Sequence, residues 1–370
     1  AGSGHPTSCL SCAELMSVLF FDEMKYDTGN ANNPDNDEFI LSKGHAAPIL
    51  YSALSKAGAI KDDLFGLRKL DSNLEGHPLP TTSPGSRSPG FSWAKVATGS
   101  LGQGLSVGIG FAIAAKLQGR EFRTYVLMGD SETAEGSVWE AFQLASHYNL
   151  NNLCAIIDVN RLGQRGETML GWNVLEYEKR IQSFGWETKI IGGHNVKKIL
   201  KALKNARKSD KPFAIIAKTL KGKGVSFLEN KEGWHGKALS REELEKALKE
   251  IGNSENSDKL NKNSQNSLMD NCKNYKLNNT FIHTQMPQIN IVKPLKIKFE
   301  FRNGEVIKNE YNLGDEIATR ESYGNALASL AKSDQRVIAV DGEVSNSTFS
   351  EKIKRENEKQ FIEAFIAEQN

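Results

Sequence analysis

The sequence lacks an excess of either charge sign: 47 Lys and Arg stand against 45 Asp and Glu. That balance offers no basic face to a nucleic acid or an anionic membrane. No apolar run approaches the roughly 20 residues of a membrane span. No basic-then-apolar leader opens the chain. Cysteine is scarce, four in 370 residues, too few for a disulfide scaffold, so a cytoplasmic chain is expected. Cys9 and Cys12 are spaced C-x-x-C, but no second pair with zinc spacing accompanies them, and they read as two thiols on a helix. An initial methionine is missing too: the chain opens in mid-motif at Ala1-Gly2-Ser3-Gly4, and a leading segment is expected to precede it. What is present is long enough for two or more domains with ample core.

The most informative stretch runs from Met128 to Gln164. An apolar run, Tyr125 to Met128, ends in Gly-Asp. Val138, Trp139, Phe142, Leu144 and Ala145 are spaced for one helical face. A second apolar run, Leu153 to Ile157, ends in Asp158-Val159-Asn160. This predicts a strand–helix–strand crossover with the two strands parallel and close. Asp130 and Asn160 then emerge at the same C-terminal sheet edge, where open α/β sheets bind ligands. A carboxylate and an amide oxygen at one point suit Mg²⁺ or Ca²⁺, and Mg²⁺ completes its shell with phosphates and water.

The rest of the chain alternates in the same way. Thr7 or Ser8 is expected to cap a helix with Leu10, Leu15, Val18 and Leu19 on its apolar face; the bland reading of His5 is a loop histidine before it. Phe39 to Leu41 reads as a strand. Ser42-Lys43-Gly44-His45 then turns into a helix that Gly58 ends. His77 lies in a Gly/Pro setting. Thr98-Gly99-Ser100-Leu101-Gly102-Gln103-Gly104 opens a helix of small residues, an anion site by its free N–H groups, although close packing explains Gly104, Gly108 and Gly110 equally well. Trp186 to Ile191 and Phe213 to Ala217 are further strands around a basic-faced helix, Val196 to Arg207. A capped helix, Ser240 to Ile251, closes a doubly wound parallel α/β domain. Residues 253–280 carry nine asparagines and read as a flexible linker. Apolar alternation returns near Ile289 to Phe301. Arg320 to Ala331 is then expected to be a helix, and Val337 to Val340 and Phe361 to Ala367 strands. The expected division is a domain at 1–251, a linker at 252–313 and the beginning of a second α/β domain at 314–370. That last piece, at about 55 residues, falls below the usual domain size of about 100.

Together these segments resemble transketolase. The matching motifs are SGHPTS, LSKGHAAPILY, EGHP, ATGSLGQGL, EGSVWEAF, IDVNRLGQ, AIIAKTLKGKG, WHGK, IATRESYGNAL, NSTFSEKI and FIEAFIAEQN. They cover residues 1–251 and about 314–370, and the wording of NRLGQ and EGSVWEA is similar to the animal-type branch. The spacing Gly-Asp-x₂₉-Asn resembles the thiamine-diphosphate signature. The resemblance implies transfer of a two-carbon ketol unit from a ketose phosphate such as xylulose 5-phosphate to an aldose phosphate, ribose 5-phosphate or erythrose 4-phosphate, in the pentose phosphate pathway. The cofactor, thiamine diphosphate, supplies the electron sink, with Mg²⁺ or Ca²⁺. It also implies a homodimer whose sites are shared between chains. Carried onto this sequence, Asp130, Asn160 and the carbonyl of Leu162 hold the metal. Ser8, His45, Gly99, Ser100, Leu101, Ser131, Glu135, Gln164 and Lys221 meet the cofactor. His5, His77 and His235 shuttle protons; His5, Lys43, His235, Arg320 and Ser347 bind substrate. Glu368 hydrogen-bonds the pyrimidine ring.

Inside the anchor the chain departs from the family: Gly-Asp-Ser stands where the family has Gly-Asp-Gly. Ser131 brings a side chain to a place where backbone approaches the diphosphate, at angles a non-glycine must tolerate, and weakened cofactor binding is expected. The change also supports an alternative, a transketolase-like protein without full catalysis, kept for dimerisation or regulation. A related thiamine-diphosphate enzyme such as deoxyxylulose-phosphate synthase or dihydroxyacetone synthase is a further alternative, and the motif wording disfavours both.

Overall fold

A computed structural model describes residues 1–70, 72–80, 90–252, 311–342, 344–367 and 369–370. The chain divides into two compact units: Ala1–Ile113 with Glu121–Lys293, and Ala114–Arg120 with Pro294–Asn370.

The first unit is built on five parallel strands, β1 (Glu38–Leu41), β2 (Thr124–Gly129), β3 (Leu153–Val159), β4 (Glu187–Gly192) and β5 (Phe213–Lys218), in the order β1-β2-β3-β5-β4. β2 and β3 are buried at every position. This is why they read as unbroken apolar runs rather than as alternations, as a sheet covered on both faces requires. Successive side chains still part to opposite faces. Tyr125, Leu127, Cys154, Ile156, Phe213 and Ile215 join a core with the helices α2 (Ala13–Val18), α3 (Ala47–Lys56) and α7 (Val196–Lys208). On the other face α4 (Gln103–Leu117) comes so near that a Cβ on Gly108 would lie 2.5 Å from Val126. α5 (Gly136–His147) crosses from β2 to β3 as expected, and the Trp186 indole donates to the Phe142 carbonyl at 2.7 Å.

Local chemistry explains the departures from expectation. α1 (Pro6–Ser11) starts at proline, which is pre-set for the first helical position, so His5 takes the N-cap place and neither Thr7 nor Ser8 caps. α6 (Val174–Ser183) was not expected; the Asn173 side chain caps it by accepting the Glu176 N–H. The cap of α8 (Arg241–Gly252) forms as read: the Ser240 N–H donates to Glu243 Oε2 at 2.8 Å and the Glu243 N–H to Ser240 Oγ at 3.2 Å. Packing accounts for Gly104, whose Cβ would stand 2.3 Å from Ser42, and for Gly108, but a Cβ on Gly110 would meet nothing within 4 Å.

The second unit holds α9 (Thr319–Ser333), β6 (Ala339–Asp341), the short helices α10 (Ser345–Thr348) and α11 (Glu351–Glu356), and β7 (Phe361–Glu363), with β6 and β7 parallel. Its core is Ala331, Ala339, Ile353 and Phe361. β7 is shorter than expected: it ends at Glu363, and Phe365 takes a left-handed φ of 57°.

Candidate functional site at the sheet edge

The parallel register sets Gly129 beside Asp158, so Asp130 leaves β2 and Asn160 leaves β3 at one edge, as the crossover predicts. The turns are tied together. Asp130 Oδ1 accepts the Ser131 N–H at 2.9 Å, and Oδ2 accepts the Arg161 N–H at 2.6 Å. Asn160 Oδ1 accepts the Leu162 N–H at 3.2 Å. The Leu162 carbonyl accepts from the Lys221 ammonium at 2.7 Å, which also reaches the Gly163 carbonyl at 3.2 Å. Burial, and next the charge of Asp158, push the Asp130 carboxyl up to about 6. Among the described residues no three His, Cys, Asp or Glu side chains gather to hold a metal. The set here is instead one carboxylate, one amide and one main-chain carbonyl. These hard oxygens fit Mg²⁺ or Ca²⁺, and a compact cation, the Lys221 ammonium, already sits on one of them.

Beneath this edge lies a buried ion pair. Lys43 is 1 % exposed and Asp158 0 %, and the two are in contact. Asp158 also accepts from the hydroxyls of Ser11 and Thr219, each at 2.5 Å, and from the Asn160 amide at 3.3 Å. Lys43 reaches the Ser8 carbonyl and the Ser11 hydroxyl, both at 3.3 Å. A charge pair survives out of water only when its remaining hydrogen-bonding capacity is met in this way. Lys43, expected at the substrate, is therefore turned into the floor of the site.

Four histidines distant in sequence converge above it. The ring of His5 lies 5.0 Å from that of His45, 4.9 Å from His235 and 6.3 Å from His77, and His45 lies 5.1 Å from His235. Burial lowers the pKa of each. His5, helped by the charges on His77 and Lys221, falls to about 4, and His235, helped by Lys221 and His5, also falls to about 4. Burial and Lys43 hold His45 far below its ordinary value, and burial and Arg68 lower His77. All four are neutral near pH 7, each with one ring nitrogen to donate and one to accept. The Lys221 ammonium donates to His235 Nδ1 at 3.0 Å, which leaves the His235 proton on Nε2.

The glycine turn faces the same edge. The Ser100 N–H donates to the Ser42 carbonyl at 3.1 Å, and Ser100 Oγ lies 3.0 Å from His45 Nδ1. Ser100 holds a left-handed φ of 60°, a conformation few residues other than glycine adopt. Gly99 and Leu101 are exposed, Leu101 at 58 %. The Ser8 hydroxyl is buried and has no partner among the described residues. An orphaned buried hydroxyl of this kind fits a polar ligand group. Ser131, Glu135 and Gln164 are exposed. Ser131 does not adopt a positive φ, so the backbone concern raised by its replacing glycine does not hold; its hydroxyl lies instead 2.8 Å from where a Cβ on Gly163 would be.

In the second unit Arg320 and Ser347 are exposed. The Arg320 guanidinium stands 5.8 Å over the Phe349 ring, two residues beyond Ser347, whose hydroxyl donates to Asn346 Oδ1 at 3.3 Å. Glu368 lies outside the described residues. Sequence reading missed Asp158, Ser11, Thr219 and Glu132. A carboxylate inside the apolar run Leu153–Val159 was the available signal for Asp158. Glu132 carried none, since glutamate near a helix start is ordinary.

Comparison with known proteins accords with this geometry. Residues 1–282 match the family model described as transketolase, thiamine diphosphate binding domain, and residues 315–370 the one described as transketolase, pyrimidine binding domain. The whole chain is 46 % identical to transketolase-like protein 2 of Mus musculus and 44 % identical to transketolase of Homo sapiens, covering 54 % of each. It thus spans about half the length of these curated relatives. Transketolase of Campylobacter jejuni superposes with a TM-score of 0.77 at 28 % identity, over 99 % of this chain and 58 % of that one. Among the described residues no helix is long and apolar enough to cross a membrane. On the matched domains, the shared fold and the converging site, this chain belongs to the transketolase family.

Proposed function

We propose that the protein to which this chain belongs is a transketolase that moves a two-carbon ketol unit from a ketose phosphate to an aldose phosphate. The observation that carries this reading is the meeting of His5, His45, His77 and His235 above the oxygen donors of Asp130, Asn160 and Leu162. Bound thiamine diphosphate supplies an electron sink for the transferred fragment. The chain supplies the rest. Asp130, Asn160 and the Leu162 carbonyl hold a divalent metal, His45 binds the diphosphate, and the Lys221 ammonium meets the cofactor as a compact positive charge. The Ser8 hydroxyl and the turn at Gly99–Leu101 line the cofactor. His5, His77 and His235, neutral at working pH, hold the donor's hydroxyls and carry protons in both directions. Arg320 and Ser347 take the substrate phosphate, Arg320 by a charge-assisted fork, and Glu368 takes the pyrimidine nitrogen. The same reading gives a cytoplasmic homodimer, with domain limits at 251 and 314.

The test is an assay of the full-length protein with xylulose 5-phosphate, ribose 5-phosphate, thiamine diphosphate and Mg²⁺. Sedoheptulose 7-phosphate is the expected product. Bound cofactor without product would favour a second reading, a family member with impaired catalysis, for which Ser131 in place of glycine is the motivating change. A pyruvate-dependent product would point to a related synthase.

A further inference from the structure

We infer that Glu132 is a positioning residue that sets the spacing between the cofactor's two anchoring turns; this rests on the reading of the edge as a thiamine-diphosphate site. Glu132 is 2 % exposed and belongs to neither the metal set nor the histidine cluster. Its carboxylate gathers donors from three separate segments. Oε2 accepts the Gly129 N–H at 3.0 Å, at the end of β2, where Asp130 begins. Oε1 accepts the Gly102 N–H at 3.2 Å, in the glycine turn. Oε1 also accepts the hydroxyl of Ser42, at the end of β1. Ser42 relays the tie: its Oγ accepts the Gly104 N–H at 3.1 Å and its carbonyl the Ser100 N–H at 3.1 Å.

The contacts leave no slack. Gly102 has φ 88°, and a Cβ there would lie 2.8 Å from Ser137 Oγ; one on Gly104 would lie 2.3 Å from Ser42. The turn therefore cannot slide without breaking a bond to Glu132 or Ser42. Every group facing the carboxylate is a donor, so both oxygens must accept. A glutamine keeps the shape but turns an NH₂ toward an N–H, and one donor is left without a partner. Groups that orient a ligand-holding set commonly change affinity by about 10- to 100-fold when altered.

The experiment uses the full-length protein and three variants, Glu132→Gln, Glu132→Asp and Ser42→Ala. Calorimetric titration with thiamine diphosphate at saturating Mg²⁺ reads affinity in the folded protein, and KM for the sugar phosphate is read at saturating cofactor. E132Q is expected to raise the cofactor Kd about tenfold or more and to leave KM within about twofold. S42A withdraws the hydroxyl donor and leaves the Gly104 N–H without its acceptor, but it keeps both main-chain ties to Glu132 and is expected to raise Kd by a smaller factor. E132D is too short to reach all three segments and is expected to fall between wild type and E132Q. If E132Q does not fold, the S42A increase carries the test alone. Unchanged cofactor Kd in E132Q, or in S42A where E132Q does not fold, overturns the role of Glu132, as does a loss confined to KM. Absence of cofactor binding by the unaltered protein overturns instead the reading of the site on which it rests.

Discussion

Two aspartates end two strands of this chain, and they do different work. Asp130 follows β2 in the first unit; Asp341 closes β6 in the second. Both are 4 % exposed and both are next to a glycine in sequence. Asp341 spends its carboxylate on its own loop. Oδ2 accepts the N–H groups of Val344 at 2.8 Å and Ser345 at 3.0 Å, and Oδ1 accepts the Ser350 hydroxyl at 3.4 Å. It braces the loop that leads into α10. Asp130 reaches across the sheet edge to Arg161, the residue after Asn160, and joins two chain segments into one oxygen-lined turn. An aspartate at a strand end is thus a local brace or part of a shared turn, and what decides is whether it reaches the turn of the neighbouring strand: Asp130 meets Arg161 beyond β3, whereas Glu363, beside Asp341 in the register, pairs with Lys354.

The largest effect is expected below the Asp130 turn. Asp158→Ala strips a buried lysine of its partner, and breaking a pair of this kind costs about 3–5 kcal/mol. Denaturant unfolding of the full-length protein measures it, and a loss under 1 kcal/mol would show that the floor is not held by the pair. Next comes the comparison itself. Asp130→Ala is expected to weaken thiamine diphosphate binding in Mg²⁺ by about 100-fold, since it removes the one carboxylate of the oxygen set. Asp341→Ala is expected to cost about 1–3 kcal/mol of stability through the donors it leaves unpaired and to leave cofactor affinity unchanged. Equal effects of both on affinity would erase the distinction.

The third prediction concerns pH. His5 and His235 have pKa values near 4 in the folded chain against an ordinary 6.5. Between these values the unfolded state binds more protons, so stability rises with pH. The contribution is complete above about pH 6.5 and is lost as pH falls toward 4. His5→Gln is expected to flatten the melting-temperature profile in that window and nowhere else. The smallest effect is expected from Ser131→Gly. Its backbone is unstrained, so only crowding is relieved, and the cofactor Kd is expected to tighten by less than about tenfold, about 1.4 kcal/mol.

The framework was legible because the physics behind it is local. Continuous apolar runs identified β2, β3 and β5, and the Ser240–Glu243 exchange was readable from four residues. Asp130 and Asn160 could be placed at one edge because parallel strands admit no other arrangement. The histidine cluster was not legible from periodicity: His5, His45, His77 and His235 come from separate loops, and only the family resemblance grouped them. The pair Lys43–Asp158 escaped notice because each half looks ordinary alone, a lysine in a turn and an acid near a strand end. Glu132 escaped because its three partners are two main-chain N–H groups and a serine hydroxyl, which no residue pattern advertises. The turn at Ser131 corrected the reading in the other direction: its replacement of glycine demanded nothing unusual of the backbone.

The ion pair under the site has one more consequence. Dissolved ions weaken attractions between charges that water surrounds, within a screening length of about 8 Å at physiological ionic strength. Lys43 and Asp158 are shielded from that atmosphere by the protein itself, whereas Arg68, at the mouth, is open to it. Added salt should therefore weaken the reach of the exposed Arg68 charge toward His5 and His77 while the buried pair keeps its strength. The medium then tunes the field at the opening and not the foundation beneath it.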